Sequence, residues 1–398
     1  MATPHATWAP TPWTEAMAKR PSFDYAAHVD SRHRAAFRGP LLDWFARVRR
    51  PMPWRAEDEH GRRDPYRVWL SEIMLQQTRV DQATPYFQRF TTAFPTVEAL
   101  AAADLDDVLK QWEGLGYYSR ARNLHRAAKV VVAEHGGRVP DTEAAISALP
   151  GIGPYTAAAV LSLAYGVPLA VLDGNVIRVL TRVFALGDDV KRSPVTKALR
   201  RLANELLPAD HPSAFNEAVM ELGATVCTPA APRCLVCTLR DVCASLAEGD
   251  PTRYPVATKK KPVPHYDIAV GVVYDEQSRV LIQKRPEDAM LGGLWEFPGG
   301  KREPDEALEA TCVRELREEL GIDVEVTEPV ARIDHAYSHF KITMYAFRCQ
   351  LVRGTPEGRE GQPLRWVAVS ALGDYAFPRA NRRLIETLQA QLRNPTLF

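Results

Sequence analysis

Residues 149–156 read Leu-Pro-Gly-Ile-Gly-Pro-Tyr-Thr, and this stretch decides the fold of the front of the chain. Its two glycines allow a tight turn with close backbone approach. Pro154 suits the first position of a helix, where its missing N–H costs nothing. The stretch therefore predicts a turn between a short helix, about 142–149, and a longer one from Pro154 to about Tyr165. Free N–H groups at such a helix start hold phosphate, which makes Gly151 and Gly153 candidate DNA contacts. An ordinary turn between two helices looks the same, so the stretch alone does not decide for DNA.

Outward from the turn the helical pattern continues. From Leu41 to about Leu222 apolar residues recur at spacings of three and four, as at Leu70, Ile73 and Met74. Breaks fall at Phe94-Pro95, Gly136-Gly137, Gly166, Gly187 and Pro208. Residues 1–35 read as a loosely ordered extension. Residues 248–265, with four prolines and three consecutive lysines, read as a linker. Beyond it β-rich runs appear at 268–274 and 280–283, then near 325–333, 341–351 and 364–369. A helix from about Pro304 to Leu320 is closed by Gly321. The expected architecture is multidomain: an all-α domain over 36–226, a cysteine loop over 227–247, the linker, and an α/β domain over 266–398.

Composition sets outer limits. The chain has 398 residues, 46% hydrophobic and 25% charged, which excludes a mostly disordered chain. Its longest apolar run, 157–172, is broken by Gly166 and Pro168 and is too short to cross a bilayer, so no membrane partner is expected. The start carries no secretory pattern; a cytoplasmic monomer, nucleoid-associated if bacterial, is the expectation. Net charge is +1 but uneven. Residues 1–263 hold 33 Lys and Arg against 28 Asp and Glu, and residues 264–398 hold 17 against 21. The basic run that includes Arg178, Arg182, Lys191, Arg192, Lys197, Arg200 and Arg201 reads as a solvated helix face. Cys312 and Cys349, in apolar surroundings, read as small core residues.

The hairpin stretch, followed about twenty residues later by Asp173 in Val171-Leu-Asp-Gly-Asn-Val176, resembles the helix-hairpin-helix DNA glycosylase superfamily. Cys227, Cys234, Cys237 and Cys243 follow as C-x6-C-x2-C-x5-C, similar to the iron–sulfur loop of its endonuclease III and MutY branch. Four thiolates also suit zinc, but zinc sites usually carry two C-x2-C pairs, and here there is one. The resemblance implies one [4Fe–4S] cluster, shaping a loop whose Arg233 and Arg240 meet phosphates. Trp69-Leu-Ser-Glu-Ile-Met-Leu-Gln-Gln-Thr78 and Gly114-Leu-Gly-Tyr-Tyr-Ser-Arg-Ala-Arg122 resemble the MutY-type adenine glycosylases. The likeness runs over about residues 38–370.

That resemblance implies roles. Cleaving the bond to adenine needs a proton on the leaving base and negative charge near an oxocarbenium-like sugar. Glu72 is the implied acid, protonating the base at N7, and burial would raise its pKa for that task. Asp173 is the implied stabiliser of the cation and also an N-cap candidate. Tyr155 and Asn175 complete the pocket. Tyr155 stands where a bifunctional relative carries its lyase lysine, so no Schiff base forms and a monofunctional glycosylase is expected. The target base must leave the stack. Gln77 and Tyr117 match the family's wedge residues, with Thr78 and Leu115 as neighbouring DNA contacts. The expected partner is duplex DNA containing 8-oxoguanine:adenine or guanine:adenine.

The back half resembles a Nudix domain. Gly300-x5-Glu306-x7-Arg314-Glu315-Leu-Arg-Glu318-Glu319-Leu-Gly321 fits the hydrolase box at every fixed position. Glu315, Glu318 and Glu319 share one helix face. Such a face binds Mg²⁺ and a pyrophosphate, or it is an acidic scaffold in which Arg314 pairs internally. His335-Ala-Tyr-Ser-His-Phe340 resembles the family's lesion-reading loop, with Tyr337, Ser338 and His339 as readers. The carboxylate face is expected to lie apart from this loop and from the lesion. Rival readings are an endonuclease III-like bifunctional glycosylase, a nucleotide-pool Nudix hydrolase tethered to DNA, and a non-catalytic DNA-binding relative.

Overall fold

The computed structural model describes residues 24–258, 262–337, 339–358 and 361–393. The helices are α1 (Ser31–Val48), α2 (Pro65–Leu75), α3 (Val80–Ala93), α4 (Val97–Ala102), α5 (Leu105–Trp112), α6 (Ser119–His135), α7 (Glu143–Ser147), α8 (Pro154–Tyr165), α9 (Gly174–Val183), α10 (Ser193–Leu206), α11 (Pro212–Thr225), α12 (Ala244–Ala247), α13 (Leu308–Leu320) and α14 (Arg379–Arg393). The strands are β1 (His265–Tyr274), β2 (Arg279–Lys284), β3 (Trp295–Glu296), β4 (Gly299–Lys301), β5 (Asp323–Ala336), β6 (Lys341–Arg353) and β7 (Leu364–Ala368). They form two compact units: residues to 88 with 130–260, and 89–129 with 261 onward.

In the first unit the predicted turn forms. Thr142 caps α7, Gly151 takes a left-handed φ of 78°, and Pro154 opens α8. Every residue of α8 from Thr156 to Leu163 is buried, so this helix is apolar all round and acts as the unit's spine. It packs on α2 and α11, and α11 also packs on α9. Phe37, Leu41, Leu180, Phe215 and Leu222 share the core.

Three expectations change here. Residues 24–35 are not loose: Tyr25 and Val29 are buried, Tyr25 Oη donates to Asp188 at 2.7 Å, and Asp30 caps α1. The front of the expected linker is also fixed, since Tyr254 is buried and its carbonyl accepts from Arg182 Nε at 3.0 Å. Lys259, Lys260 and Lys261 lie outside the described residues. Arg178 and Arg182 are not on a solvated face; they are 9% and 1% exposed.

The second unit is a mixed sheet between two helices. Strand order is β3-β2-β1-β6-β5, with β4 on β1 and β7 on β2. β1 and β6 run parallel, Ile268 opposite Met344; the other pairs are antiparallel. Alternation along β1 sends Ala269 and Val273 to the α13 side, with Leu316 and Leu320. It sends Val270 and Val272 to the α14 side, with Leu384 and Leu388. A Cβ on Gly271 would lie 2.8 Å from Leu316, so glycine lets the box helix sit down on the sheet. Cys312 and Cys349 are core, as expected. The box helix starts at Leu308 rather than Pro304, because Asp305 takes a φ of 62° and the Glu306 side chain bends back to Arg314.

Residues 89–129 belong with this sheet, against the expected division by sequence order. Glu113 accepts from Phe377 N at 2.9 Å and Arg382 at 3.3 Å. Lys110 reaches Tyr375 O at 3.1 Å, and Arg122 reaches Gly292 O at 2.6 Å.

Candidate active site

α2 starts at Pro65, with the Asp64 carboxylate accepting from Tyr66 N at 2.9 Å. Its apolar residues pack on both sides, and Glu72, in the run Val68–Met74, is carried inside with them at 5% exposure. Tyr155, in the first turn of α8, donates its hydroxyl to Glu72 Oε2 at 2.6 Å. Burial pushes the Glu72 carboxyl up to about 7, and the charges of Asp173 and Glu217 push the same way. The Tyr155 hydrogen bond and Arg55 oppose the rise. Half-ionised near neutrality, Glu72 is poised to give a proton.

Asp173 caps α9, as expected. Its Oδ1 accepts from Val176 N at 2.7 Å and its Oδ2 from Asn175 Nδ2 at 2.8 Å. Arg178 then donates to Asn175 Oδ1 at 2.7 Å. Burial raises the Asp173 carboxyl, while the Val176 and Asn175 donors and the Arg178 charge favour its ionised form. Glu72, Tyr155, Asp173 and Asn175 all line one open cavity of about 630 Å³, large enough for an extruded nucleotide.

The sequence reading missed the far wall of this cavity. Glu217 and Glu221 of α11 are buried and held by arginines from the segment before α2. Arg55 donates to Glu217 at 2.7 Å and to Glu221 at 3.2 Å, and Arg63 donates to Glu217 at 2.8 Å. Arg50 also engages Glu221. The available signal was two glutamates four apart in an otherwise uncharged helix. Also missed was the work of Arg178 and Arg182, four apart on α9. Arg182 donates to Thr228 O and Pro229 O, both at 2.7 Å, and approaches Cys227 Sγ at 3.4 Å. Arg178 donates to Cys227 O at 2.7 Å.

Cys227, Cys234, Cys237 and Cys243 line one small cavity beside Arg182. Four soft donors converging beside a buried guanidinium suit a thiolate-bound cluster, since the cation offsets thiolate charge. Among the described residues no three Cys, His, Asp or Glu already stand at ion-gripping distance. Burial pushes the Cys237 thiol up to about 12, so deprotonation would be tied to ligation. Arg233 and Arg240 are exposed on this loop, Arg240 beside Asp241 at 3.5 Å.

The other expected DNA contacts fall in both units. In the first, Gln77 is exposed just past α2 with a φ of 58°, and Thr78 N returns to Leu75 O at 3.1 Å. In the second, Tyr117 takes a φ of 51°. Such backbone is costly for a residue with a side chain and clusters at functional positions. Leu115 is 4% exposed and belongs to the buried residues.

In the second unit Arg314 binds Glu306 at 2.8 Å, Glu315 at 3.0 Å and Glu318 at 3.1 Å. Glu319 stands apart from this network. Its Oε2 accepts from Gln283 at 2.6 Å and Gly299 N at 3.3 Å. Burial, then the nearby Glu296, push its carboxyl up to about 7. In the β5–β6 turn Tyr337 N donates to Phe340 O at 2.8 Å, and the two rings stack at 4.7 Å. His339 is exposed; Ser338 lies outside the described residues. Tyr337, His339 and Glu319 line the same cavity of about 430 Å³. The separation of reading loop from box carboxylates expected from sequence therefore fails at Glu319.

Residues 70–205 match the HhH-GPD superfamily base excision DNA repair proteins, and residues 269–387 match the NUDIX domain. Fold and site together define a helix-hairpin-helix base-excision DNA repair protein with a NUDIX domain. The chain is 35% identical to the adenine DNA glycosylase of Homo sapiens, over 92% of its own length and 76% of that protein. It is 32% identical to that of Rattus norvegicus, over 95% and 83%, and 30% identical to that of Buchnera aphidicola from Acyrthosiphon pisum, over 88% and 97%. A thermostable thymine-DNA glycosylase structure aligns with a TM-score of 0.47 and 32% identity, over 54% of this chain and 97% of that one. The chain belongs to the adenine DNA glycosylase family and is an enzyme of base excision repair.

Proposed function

We propose that the enzyme hydrolyses the N-glycosidic bond of adenine paired with 8-oxoguanine or guanine in duplex DNA, acting as a monomer and without a lyase step. The observation that carries the mechanism is the Glu72–Tyr155 contact of 2.6 Å inside a cavity shared with Asp173. Glu72 gives its proton to N7 of the extruded adenine, so the base leaves neutral. Asp173, its oxygens held by Val176 N–H and Asn175, faces the sugar as positive charge develops there. Water then completes hydrolysis. Tyr155 offers a phenol and not an amine, which supports the monofunctional reading.

Cys227, Cys234, Cys237 and Cys243 would hold one [4Fe–4S] cluster. It would supply a fixed loop presenting Arg233 and Arg240 to phosphates. Tyr337 and His339 read the oxidised purine. Mg²⁺ at the box helix is the weaker reading, because Arg314 already engages Glu315 and Glu318. The test uses four duplexes that differ only in the pair, treated with alkali after incubation. Strand breaks confined to 8-oxoguanine:adenine and guanine:adenine support the reading. Breaks that appear without alkali, with an efficient borohydride-trapped adduct, would place the enzyme in the bifunctional class instead.

A further inference from the structure

The cavity around Glu72 holds a group that the chemistry above does not use. Met220, on α11, lines the same 630 Å³ and is half-buried. The Tyr155 hydroxyl, which donates to Glu72 Oε2 at 2.6 Å, also lies 3.7 Å from Met220 Sδ. Burial and the neighbouring carboxylates hold Tyr155 as a neutral phenol, with a single proton to give. A thioether sulfur is a weak acceptor and a carboxylate a strong one, so the proton goes to Glu72. That choice depends on the sulfur remaining a thioether. Access and position single Met220 out. Met74 and Met344 are 0% exposed. Met290 is 57% exposed but belongs to the second unit. Met52 lines the cavity too, but among the described residues Met220 is the methionine whose sulfur meets Tyr155.

We propose that Met220 is an oxidation site, and that its sulfoxide withdraws the Tyr155 hydroxyl from Glu72 and slows excision. The oxidant is hydrogen peroxide. Its oxygen bonds to the sulfur as the O–O bond breaks; the sulfur is oxidised to the sulfoxide, the peroxide is reduced, and water leaves. No proton is taken from the protein. The new oxygen stands one bond from a sulfur already in contact with the hydroxyl, and it accepts far more strongly than the thioether did. Glu72 then faces Asp173 from the cap of α9, Glu217 from α11 and Arg55 from the segment before α2, without the Tyr155 donor that favours its ionised form. It holds its proton more tightly, and the falling limb of the pH profile moves to higher pH. This last effect rests on the reading that Glu72 is the acid.

The test treats the full chain with hydrogen peroxide, at doses that leave bound iron unchanged, and maps oxidised methionines by peptide mass spectrometry. Met290 reports the dose. Single-turnover excision from the 8-oxoguanine:adenine duplex is compared with the untreated rate of the same protein. As Met220 gains oxygen, the wild type should lose about ten- to a hundredfold in rate. Met52→Leu should lose as much, and Met220→Leu should keep its own rate. Met220→Gln needs no oxidant: it sets an amide acceptor beside Tyr155 permanently. It should be slower than Met220→Leu, with its falling limb at higher pH. Met220 left unoxidised when Met290 is fully oxidised overturns the site, and so does an equal loss of rate in Met220→Leu. A loss that follows Met220 with no difference in limb between Met220→Gln and Met220→Leu overturns the route through Tyr155, provided Glu72→Gln is slow. If Glu72→Gln excises normally, the acid reading has failed, and the peptide map with the Met220→Leu comparison alone judges the oxidation site.

Discussion

In the proposed mechanism Glu72 owes its proton affinity to loss of solvent. Glu72→Gln should retain affinity for an 8-oxoguanine:adenine duplex and lose about 10²–10⁴-fold in excision, the usual contribution of a positioned acid. Single-turnover kinetics beside a binding titration measures both. The same substitution should stabilise the fold at high pH. A carboxyl raised from 4.5 to about 7 binds its proton more tightly when folded. Its contribution is fully present below pH 4.5 and is lost as pH rises through 7, at a cost of roughly 3 kcal/mol above that. Thermal unfolding at pH 5 and pH 8 should show Glu72→Gln gaining much more at the higher pH. If Glu72 is the acid, as proposed, excision needs its protonated form and the rate should fall above about pH 7. Tyr155→Phe removes a donor that favours the carboxylate; the falling limb should then move to higher pH. An unmoved limb would assign the pH dependence to another group.

At the scale of elements, the site depends on how closely α9 approaches α11. Gly223 of α11 sits against the start of α9, where an added Cβ would lie 2.6 Å from Asn175 Cβ and 3.0 Å from its Cα. That backbone does not yield cheaply. Gly223→Ala should cost about 1–3 kcal/mol by overpacking. It should also displace Asn175 from Asp173, lowering kcat more than it raises KM. A variant with reduced melting temperature and normal kcat would show that the approach serves stability alone. Arg178 and Arg182 fix the same region by donating to the backbone of the cysteine loop. Replacing Cys237 by Ser should reduce bound iron, sulfide and DNA affinity together; full iron with normal affinity would detach the loop from binding.

Across the molecule, the compact units do not follow chain order. α4, α5 and the first turns of α6 pack with the sheet through Glu113, Lys110 and Arg122, and an added Cβ on Gly293 would lie 3.1 Å from Leu109. A chain of residues 24–258 therefore keeps these helices and loses what they pack on. It should melt about 10 °C lower than the full chain, with a broadened transition. Melting unchanged by the removal would show that 89–129 is held by the helical unit after all.

The sequence by itself determined the features written in a few neighbouring residues. The turn at Gly151, the start of α8 at Pro154, the cap at Asp173 and the runs of the sheet follow from local backbone rules and periodicity. The cysteine spacing and Glu72 were legible only through their resemblance to a known family. Tertiary structure decided what those residues experience. Glu72 and Tyr155 are 83 positions apart, and only their contact and shared burial set the proton affinity. Arg178 and Arg182 read as solvated until Cys227, Thr228 and Pro229 closed over them. Glu319 read as one of three equal carboxylates until Arg314 chose the other two. Charge, burial and partnership are properties of the surroundings in space, and a side chain buried by distant segments carries little sign of it among its neighbours in sequence.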